Sequence, residues 1–155
     1  MNWGNTTATF RWNHVLTDKT SGNLSAIFSN YYYRYKSMAD GMKYLWKSNM
    51  QSYQLKYDLE HTASRNLKIK AGGALHFFTT RPGSLDNYGG FTHVVPFQMD
   101  RRKMLDVGLY GEIEYRFASR FQLNGGIRLA ALYTPSGPGY EGKTFIVPEP
   151  RAELS

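Results

Sequence analysis

One glycine-rich segment near the end of the chain has the spacing of a chemical motif. Residues 137–144, Gly-Pro-Gly-Tyr-Glu-Gly-Lys-Thr, fit G-x-x-x-x-G-K-[ST], in which backbone N–H groups cradle phosphates. That chemistry requires a helix directly after the loop, because the helix N-terminus faces the phosphates. Residues 145–150, Phe-Ile-Val-Pro-Glu-Pro, are β-branched and broken by proline, so they cannot begin a helix. We therefore interpret the segment as a glycine-rich loop that leads into a strand.

Two other segments combine basic with aromatic or acidic residues. Residues 30–37, Asn-Tyr-Tyr-Tyr-Arg-Tyr-Lys-Ser, interleave aromatics and cations as platforms for single-stranded nucleic acid do. Residues 100–103, Asp-Arg-Arg-Lys, form a short basic cluster that could meet an anionic ligand or a lipopolysaccharide phosphate. Aromatics at a membrane interface explain the first segment better, and a solvated loop explains the second. We expect no nucleic-acid partner.

Residue types that perform catalysis are present without a catalytic arrangement. The four histidines are scattered, with no spacing typical of metal ligands. No Ser/His/Asp arrangement follows from the spacing, and the carboxylates fall on charged strand faces. The absence of cysteine excludes disulfides and thiolate metal sites. The sequence thus predicts no catalytic residue, metal site or cofactor, and a protein that is not an enzyme.

The elements that would position all these residues are strands, because hydrophobicity alternates with period two. Within residues 52–60, Tyr and Leu at odd positions alternate with polar residues at even ones. The same pattern covers residues 67–78, 105–117 and 121–133. Looser strands are expected at 6–16 and 24–36, and one at 144–155 that Pro148 and Pro150 interrupt. We predict an all-β, antiparallel, up-and-down chain of about seven strands.

Strand length and loop asymmetry favour a transmembrane barrel over a soluble sandwich. The predicted strands of about 10 to 14 residues exceed the soluble average of about 5 to 6 and suit a tilted crossing of a bilayer. Short turns near residues 18–22, 63–66 and 119–120 alternate with long connections at 37–49, 80–104 and 135–143, as in outer-membrane barrels. Aromatic residues, 15% of the chain, cluster near strand ends, where such barrels have their aromatic girdles. The apolar face is expected to meet lipid and the charged face to line the lumen.

The expected number of strands makes a complete barrel improbable. Bacterial single-chain barrels have an even count of at least eight strands. An open sheet of seven long strands would expose two edges, which is an aggregation hazard. We therefore expect residues 1–155 to form one part of a larger outer-membrane barrel domain.

A series of short motifs follows the predicted strands in order. They are Trp-Gly-Asn-Thr-Thr at 3–7, Phe-Arg-Trp-Asn-His at 10–14, Tyr-Gln-Leu-Lys-Tyr-Asp at 53–58, Leu-Lys-Ile-Lys-Ala-Gly at 67–72, Tyr-Gly-Glu-Ile-Glu-Tyr at 110–115, Phe-Gln-Leu-Asn-Gly-Gly-Ile-Arg-Leu at 121–129 and Pro-Glu-Pro-Arg at 148–151. Their order and spacing resemble the barrel of TonB-dependent receptors, most closely the group with a carboxypeptidase-regulatory-like N-terminal domain. The resemblance covers nearly the whole chain, without the plug domain and TonB box of that family.

The resemblance implies a wall segment of a barrel of about 22 strands with a plugged lumen in the bacterial outer membrane. The intact protein would import a scarce, bulky ligand, with outer-membrane lipid, the remaining barrel, the plug domain and TonB as partners. Long outer loops would capture the ligand through aromatic and cationic side chains. The candidates are Trp46, Tyr88, Phe91, His93, Arg101 and Arg102.

Two alternatives remain open from the residues alone. A small, self-contained outer-membrane barrel of about eight strands, with an adhesive or structural role, would need one more strand within residues 37–49 or 89–98. A soluble lipocalin-like barrel or sandwich that binds an apolar ligand would bury the alternating apolar face as its core.

Overall fold

The computed structural model describes residues 1–39, 42–88, 93–118 and 121–154, and these residues form a single antiparallel sheet. Seven strands are long and one is a two-residue piece. Their bounds are β1 Asn2–Thr17, β2 Thr20–Ala39, β3 Met42–Ser64, β4 Leu67–Asn87, β5 Phe97–Gln98, β6 Arg102–Ala118, β7 Phe121–Thr134 and β8 Lys143–Leu154. The predicted all-β class and strand count are confirmed.

Sequential strands are neighbours in space, as the up-and-down prediction requires. The order is β1-β2-β3-β4-β6-β7-β8, and β5 pairs with β4 off this path. In the part of the chain that is described, β1 and β8 do not pair with each other, so the sheet has two edges. Asp18–Lys19 joins β1 to β2 and Arg65–Asn66 joins β3 to β4, which confirms two of the short turns. The third predicted short turn, at 119–120, lies outside the described residues.

The strands at the opposite end are longer than the sequence predicted. Residues 37–49 were expected to form a long loop, but β2 continues to Ala39 and β3 begins at Met42. Likewise β4 runs on to Asn87 instead of ending near residue 78. The prediction was wrong there because aromatic, basic and polar residues occupy both faces beyond Asn30, so the apolar/polar alternation disappears while the backbone ladder continues.

The two prolines near the end of the chain do not interrupt their strand, contrary to prediction. Pro148 pairs with Leu129 and Pro150 with Ile127, both within β8. A proline removes one ladder donor and is tolerated where that donor is not needed. Among the described residues, β8 pairs on one side only, with β7, so its outward-directed backbone groups have no strand to bond there.

The register sorts the side chains onto two faces of opposite character. Directly paired residues share a face, and Ala26, Leu55, Leu75, Val107 and Ala131 form one continuous apolar row across five strands. We call this surface the apolar face and the opposite one the charged face. The charged side chains of the latter include Lys56, Asp58, Glu60, Lys68, Lys70, Glu112, Glu114, Arg116, Arg128 and Arg151.

Successive short turns are staggered along the strand direction. Thr20, just after the first turn, pairs with His61, three residues before the end of β3. Leu67, just after the second turn, pairs with Tyr115, three residues before the end of β6. A steady stagger of this kind arises when strands tilt relative to the axis of a barrel.

No hydrophobic side chain among the described residues is buried. Leu55 is 47% exposed and Leu109 58% exposed, although both lie in the middle of the sheet. A sheet with an apolar face normally packs that face against a second layer. Here the layer must come from outside these residues. In the parts of the chain that are described, the structure also has no helix of the length and apolarity needed to cross a membrane.

Candidate functional site

Three strands project beyond β6 at the end opposite the short turns, and β1 accompanies them as far as Asn2, which pairs with Arg34. Strand β6 begins at Arg102, opposite Thr80, whereas β4 continues for another seven residues. Residues 30–39, 42–50 and 81–87 therefore form a three-stranded extension, which we call the tongue. Its two faces continue the charged face and the apolar face of the sheet.

The tongue places three of the four tyrosines of residues 31–36 on one face and both cations on the other. Tyr31, Tyr33 and Tyr35 share the face that continues the charged face, because they pair with Met50, Ser48 and Trp46. Tyr32, Arg34 and Lys36 lie on the other face, since strand residues alternate. One face of the segment is therefore aromatic throughout, and both cations lie on the other face with Tyr32.

Aromatic rings cover the tongue face that continues the charged face. Tyr35 is directly opposite Trp46, and its ring centroid lies 6.1 Å from that of Tyr44. The Trp46 ring meets Phe97 of β5 edge-on at 5.9 Å. Trp3 of β1 continues the surface, because it pairs with Tyr33. We call this surface the aromatic ledge, with members Trp3, Tyr33, Tyr35, Tyr44, Trp46 and Phe97.

A buried glycine holds the central ring of the ledge in place. A Cβ added to Gly83 would come within 2.2 Å of the Trp46 ring, so the indole lies directly on the glycine backbone. The carbonyl of Gly83 also accepts a hydrogen bond of 2.9 Å from the N–H of Met99. This bond brings β5, and with it Phe97, to the ledge. The tongue thus fixes the orientation of Trp46 from two sides.

The ledge can bind a ligand by stacking and apolar contact. Phe97 is 46% exposed and Tyr35 40% exposed, so their rings are accessible. Aromatic side chains contribute large contact areas at small entropic cost. In the described portions of the chain, no group of three or more His, Asp or Glu residues could hold a metal ion. The ledge therefore offers an aromatic surface for stacking contact.

The predicted ligand residues are not gathered at one place. Trp46 lies on strand β3, not in a loop, and is the centre of the ledge. Tyr88 lies on the other tongue face, where the Lys36 Nζ donates a hydrogen bond of 3.2 Å to its hydroxyl. His93 and Arg101 are exposed between β4 and β6. Phe91 lies outside the described residues.

Arg102 is the first residue of β6 and not a loop residue. Its guanidinium lies 3.8 Å from the ring centroid of Tyr140, in the loop between β7 and β8. That loop is the glycine-rich segment, closed by the bridge between Gly137 and Tyr140. Strand β8 follows it directly, as predicted.

A second polar cluster covers the charged face nearer the short turns. The Tyr110 hydroxyl donates a 2.5 Å hydrogen bond to Asp58, which also pairs with Lys56 at 2.9 Å. Lys70 pairs with Glu114 at 3.7 Å on the neighbouring strands. These groups link β3, β4 and β6 and balance one another's charge. They stabilise this part of the sheet.

Comparison with known proteins identifies the fold. No protein-family model matches the chain, and no curated protein matches it in sequence. Two solved structures match it along 98% of its length. One is BauA, the ferric preacinetobactin receptor from Acinetobacter baumannii, with a TM-score of 0.71 and 10% identity. The other is the copper transporter OprC, with a TM-score of 0.64 and 13% identity.

The chain shares its fold with part of each of these two proteins, so the predicted all-β antiparallel fold is confirmed. The chain spans 28% of the length of BauA and 27% of that of OprC. The sheet corresponds to a stretch of their β-structure.

Proposed function

We propose that this sheet is part of the wall of a TonB-dependent transporter in the bacterial outer membrane, which imports a scarce, bulky ligand. The observation that carries the proposal is the uncovered apolar face. In the described strands β2, β3, β4, β6 and β7, this face has no Asp, Glu, Lys or Arg between the short turns and the row of Phe28, Tyr53 and Phe77. Lipid is the solvent that such a surface requires.

The height of this uncharged surface fits a membrane. From Leu67 to Phe77, β4 advances about 33 Å at about 3.3 Å a residue. At a tilt of about 40° this distance spans about 25 Å along the membrane normal, the height of the apolar band of outer-membrane barrels. Phe28, Tyr53 and Phe77, with centroids 5.1 and 6.4 Å apart, form an aromatic row at one boundary. Tyr115, Phe117 and Phe121 lie at the other.

The partners follow from this assignment. The two open sheet edges require further strands, supplied by the rest of a barrel. The charged face requires a polar lumen, which in the complete protein holds a plug domain that TonB moves. The aromatic ledge stands on the lumenal side of the tongue, outside the lipid, and would contact ligand before entry. The cargo is an organic molecule or an organic chelate with an apolar or aromatic surface.

The two alternatives from the sequence are disfavoured by specific observations. A soluble ligand-binding barrel would bury its apolar face, yet the described residues contain no buried hydrophobic side chain. A self-contained small barrel would close β1 onto a last strand. The extra strand, β5, has two residues and pairs with β4 alone.

The membrane assignment can be tested by labelling of the complete gene product in intact cells. Ser37→Cys in the tongue is expected to react with a bulky polyethylene-glycol maleimide. Asp18→Cys in a short turn is the matched control, and should react only after the outer membrane is permeabilised. A protein found in the soluble fraction, or equal labelling of both positions in intact cells, would refute the assignment.

The import assignment needs a separate measurement. Strains that express the wild type or Trp46→Ala are grown in the same medium, and the depletion of its small molecules is measured by mass spectrometry. We expect one class of compound to be depleted more slowly by Trp46→Ala. Tyr32→Ala, which removes a ring from the other face of the tongue, should deplete it at the wild-type rate. If deletion of the gene changes no compound, the import role is wrong.

A further inference from the structure

All charged residues of the tongue lie on the face opposite the aromatic ledge. The pairing of Arg34 with Lys47 fixes this face on β2 and β3, because directly paired residues share a face and strand residues alternate. Asp86 of β4 lies on it as well, since its carboxylate accepts a hydrogen bond of 2.7 Å from the Lys47 Nζ. We call this surface the cationic face. Its charged members are Arg34, Lys36, Lys43, Lys47, Arg81 and Asp86.

The ledge side of the same strands carries no charge. Within the described strands of the tongue, every position on this side is an aromatic, apolar or uncharged polar residue. On β3 these positions are Met42, Tyr44, Trp46, Ser48 and Met50. The same side of β3 becomes charged nearer the short turns, where it carries Lys56, Asp58 and Glu60. Charge therefore disappears from this side of the sheet where the ledge begins.

The fold does not require this separation of charge. The tongue extends beyond the proposed lipid band, so water can reach both of its faces, and exposed positions normally include charged residues. The cationic face has such residues and the ledge side does not. Because the two faces share one backbone and one solvent, the difference indicates that the ledge contacts something other than water.

Charged residues near the ledge are balanced or already in contact with another group. Asp100 and Arg101 follow Phe97 in the connection to β6 and carry opposite charges. Arg102 lies on the ledge side of β6, and its guanidinium faces the Tyr140 ring, 3.8 Å from the ring centroid. A ligand on the ledge therefore meets rings and hydroxyl groups instead of an ion-pairing partner.

The charge distribution of the tongue opposes the binding of ions to the ledge. Moving a charged group from water onto apolar rings is costly when no opposite charge compensates it. An anion would have the cations of the tongue on the opposite face of the sheet. An organic cation would be attracted to the ring faces. However, the described tongue residues carry five cations against the carboxylate of Asp86, and they repel it.

We infer that the aromatic ledge selects an uncharged organic ligand that has a flat ring with oxygen atoms around it. The ring stacks on Tyr35 and Trp46, and the oxygen atoms bond to tyrosine hydroxyls. Tyr33, Tyr35 and Tyr44 supply these hydroxyls, each of which can donate and accept hydrogen bonds. This selectivity rests on the proposed import function and specifies its cargo. A sugar ring and a neutral aromatic ring share this chemistry.

Binding is measured on the complete gene product, purified in detergent with 5-fluorotryptophan at position 46. Three probes carry the same phenyl ring: phenyl glucoside is neutral, phenyl phosphate is anionic and phenyltrimethylammonium is cationic. We expect phenyl glucoside to shift the ¹⁹F resonance with a midpoint concentration about ten-fold below that of either ion, because an uncompensated charge is costly on the rings. Equal midpoints for the three probes, or a lower midpoint for either ion, would overturn the inference.

The same label at position 12, on the apolar face, is the control for probe that dissolves in the detergent. Its resonance should shift only at higher concentrations of phenyl glucoside than the resonance at position 46. Equal responses at the two positions would mean that the ledge does not bind the probe, and the inference would fail.

Two further neutral probes identify the kind of ring that binds. Methyl glucoside has the sugar without the phenyl ring, and benzyl alcohol has the aromatic ring without the sugar. A shift at position 46 with the first identifies a sugar ring, and a shift with the second identifies an aromatic ring. Either result supports the inference, whereas no shift with any neutral probe would contradict it.

A charge added to each face in turn tests the electrostatic cause. Ser37→Asp places a carboxylate on the ledge side, opposite Tyr44. Met38→Asp adds the same charge to the cationic face one residue away and is the matched control. We expect Ser37→Asp to lower the midpoint for phenyltrimethylammonium several-fold and Met38→Asp to change it little. Equal effects of the two variants would contradict selection by the ledge.

The import experiment separates failure of this inference from failure of the proposed function. The compound whose depletion is slowed by Trp46→Ala is expected to carry no net charge at pH 7. An ionic compound depleted in this way would overturn the inference and leave the import role intact. A gene deletion that changes no compound would instead refute the import role on which the inference rests.

Discussion

The two faces of the sheet share one backbone but differ in their residue types and in their side-chain contacts. On β3, Leu55 and Tyr57 of the apolar face lie beside Lys56 and Asp58 of the charged face. Charged-face groups form ion pairs and hydrogen bonds with neighbouring strands, whereas apolar-face side chains lie opposite one another in rows. Neither face has a second layer in the described chain. The difference shows that the surroundings of each face, lipid or a polar lumen, decide which residues are stable there.

A charge placed on the apolar face should have the largest effect. Leu55→Arg puts a guanidinium near the middle of the proposed lipid band, which costs about 2–4 kcal/mol in membrane barrels. Gln54→Arg is the adjacent control on the charged face and should cost less than about 1 kcal/mol. The measurement is urea unfolding of the complete protein in lipid vesicles. Equal destabilisation by both variants would contradict the assignment of the faces.

A methyl group at Gly83 should have an intermediate effect, confined to the tongue. Gly83→Ala forces the Trp46 ring away from the strand, because the added Cβ would lie 2.2 Å from it. Overpacking of this kind costs about 1–3 kcal/mol. Gly111→Ala, where a Cβ would meet nothing within 4 Å, is the matched control. Urea unfolding of each variant measures the loss in free energy of unfolding. The ¹⁹F resonance of 5-fluorotryptophan at position 46 should shift only in Gly83→Ala.

Loss of one hydroxyl on the charged face should have the smallest effect. Tyr110→Phe removes the hydrogen bond to Asp58 but leaves the ion pair between Asp58 and Lys56. Hydrogen bonds to charged groups contribute about 1.5–3 kcal/mol, and partial exposure here reduces the expected loss to about 1 kcal/mol. Tyr133→Phe, on the apolar face, should change stability by less than half of this. A larger loss for Tyr133→Phe would mean that the polar cluster does not stabilise the wall.

The sequence predicted the central strands and their faces well, because apolar and polar residues alternate strictly between positions 52 and 60 and between 105 and 117. The prediction failed where apolar and polar residues no longer alternate. Residues 31–36 are all aromatic or cationic, with no apolar/polar alternation, so the continuing ladder of β2 and β3 was assigned to a loop from residue 37 onward. Pro148 and Pro150 were thought to break a strand that, at a sheet edge, tolerates them.

The candidate site was predicted only in part. Trp46 was singled out, but Tyr35 and Tyr44 were missed although the pairing of β2 with β3 places both beside it. Treating the two segments as paired antiparallel strands and assigning alternate residues to each face would have placed them beside Trp46. Phe97 could not have been found in this way. Its position depends on the irregularity between Lys47/Asn49 and Ser84/Arg81 and on the path of the chain after β4.

The most direct test of the account is a spin-label scan along residues 52–59 of β3 in the complete protein, reconstituted in a bilayer. The chain has no cysteine, so each introduced cysteine gives a single labelling site within it. Collision rates with oxygen, which concentrates in lipid, and with a water-soluble nickel chelate are measured at each position. We predict that positions 53, 55, 57 and 59 favour oxygen and that 52, 54, 56 and 58 favour nickel. Uniform access to nickel, or no alternation, would contradict a lipid-facing apolar surface.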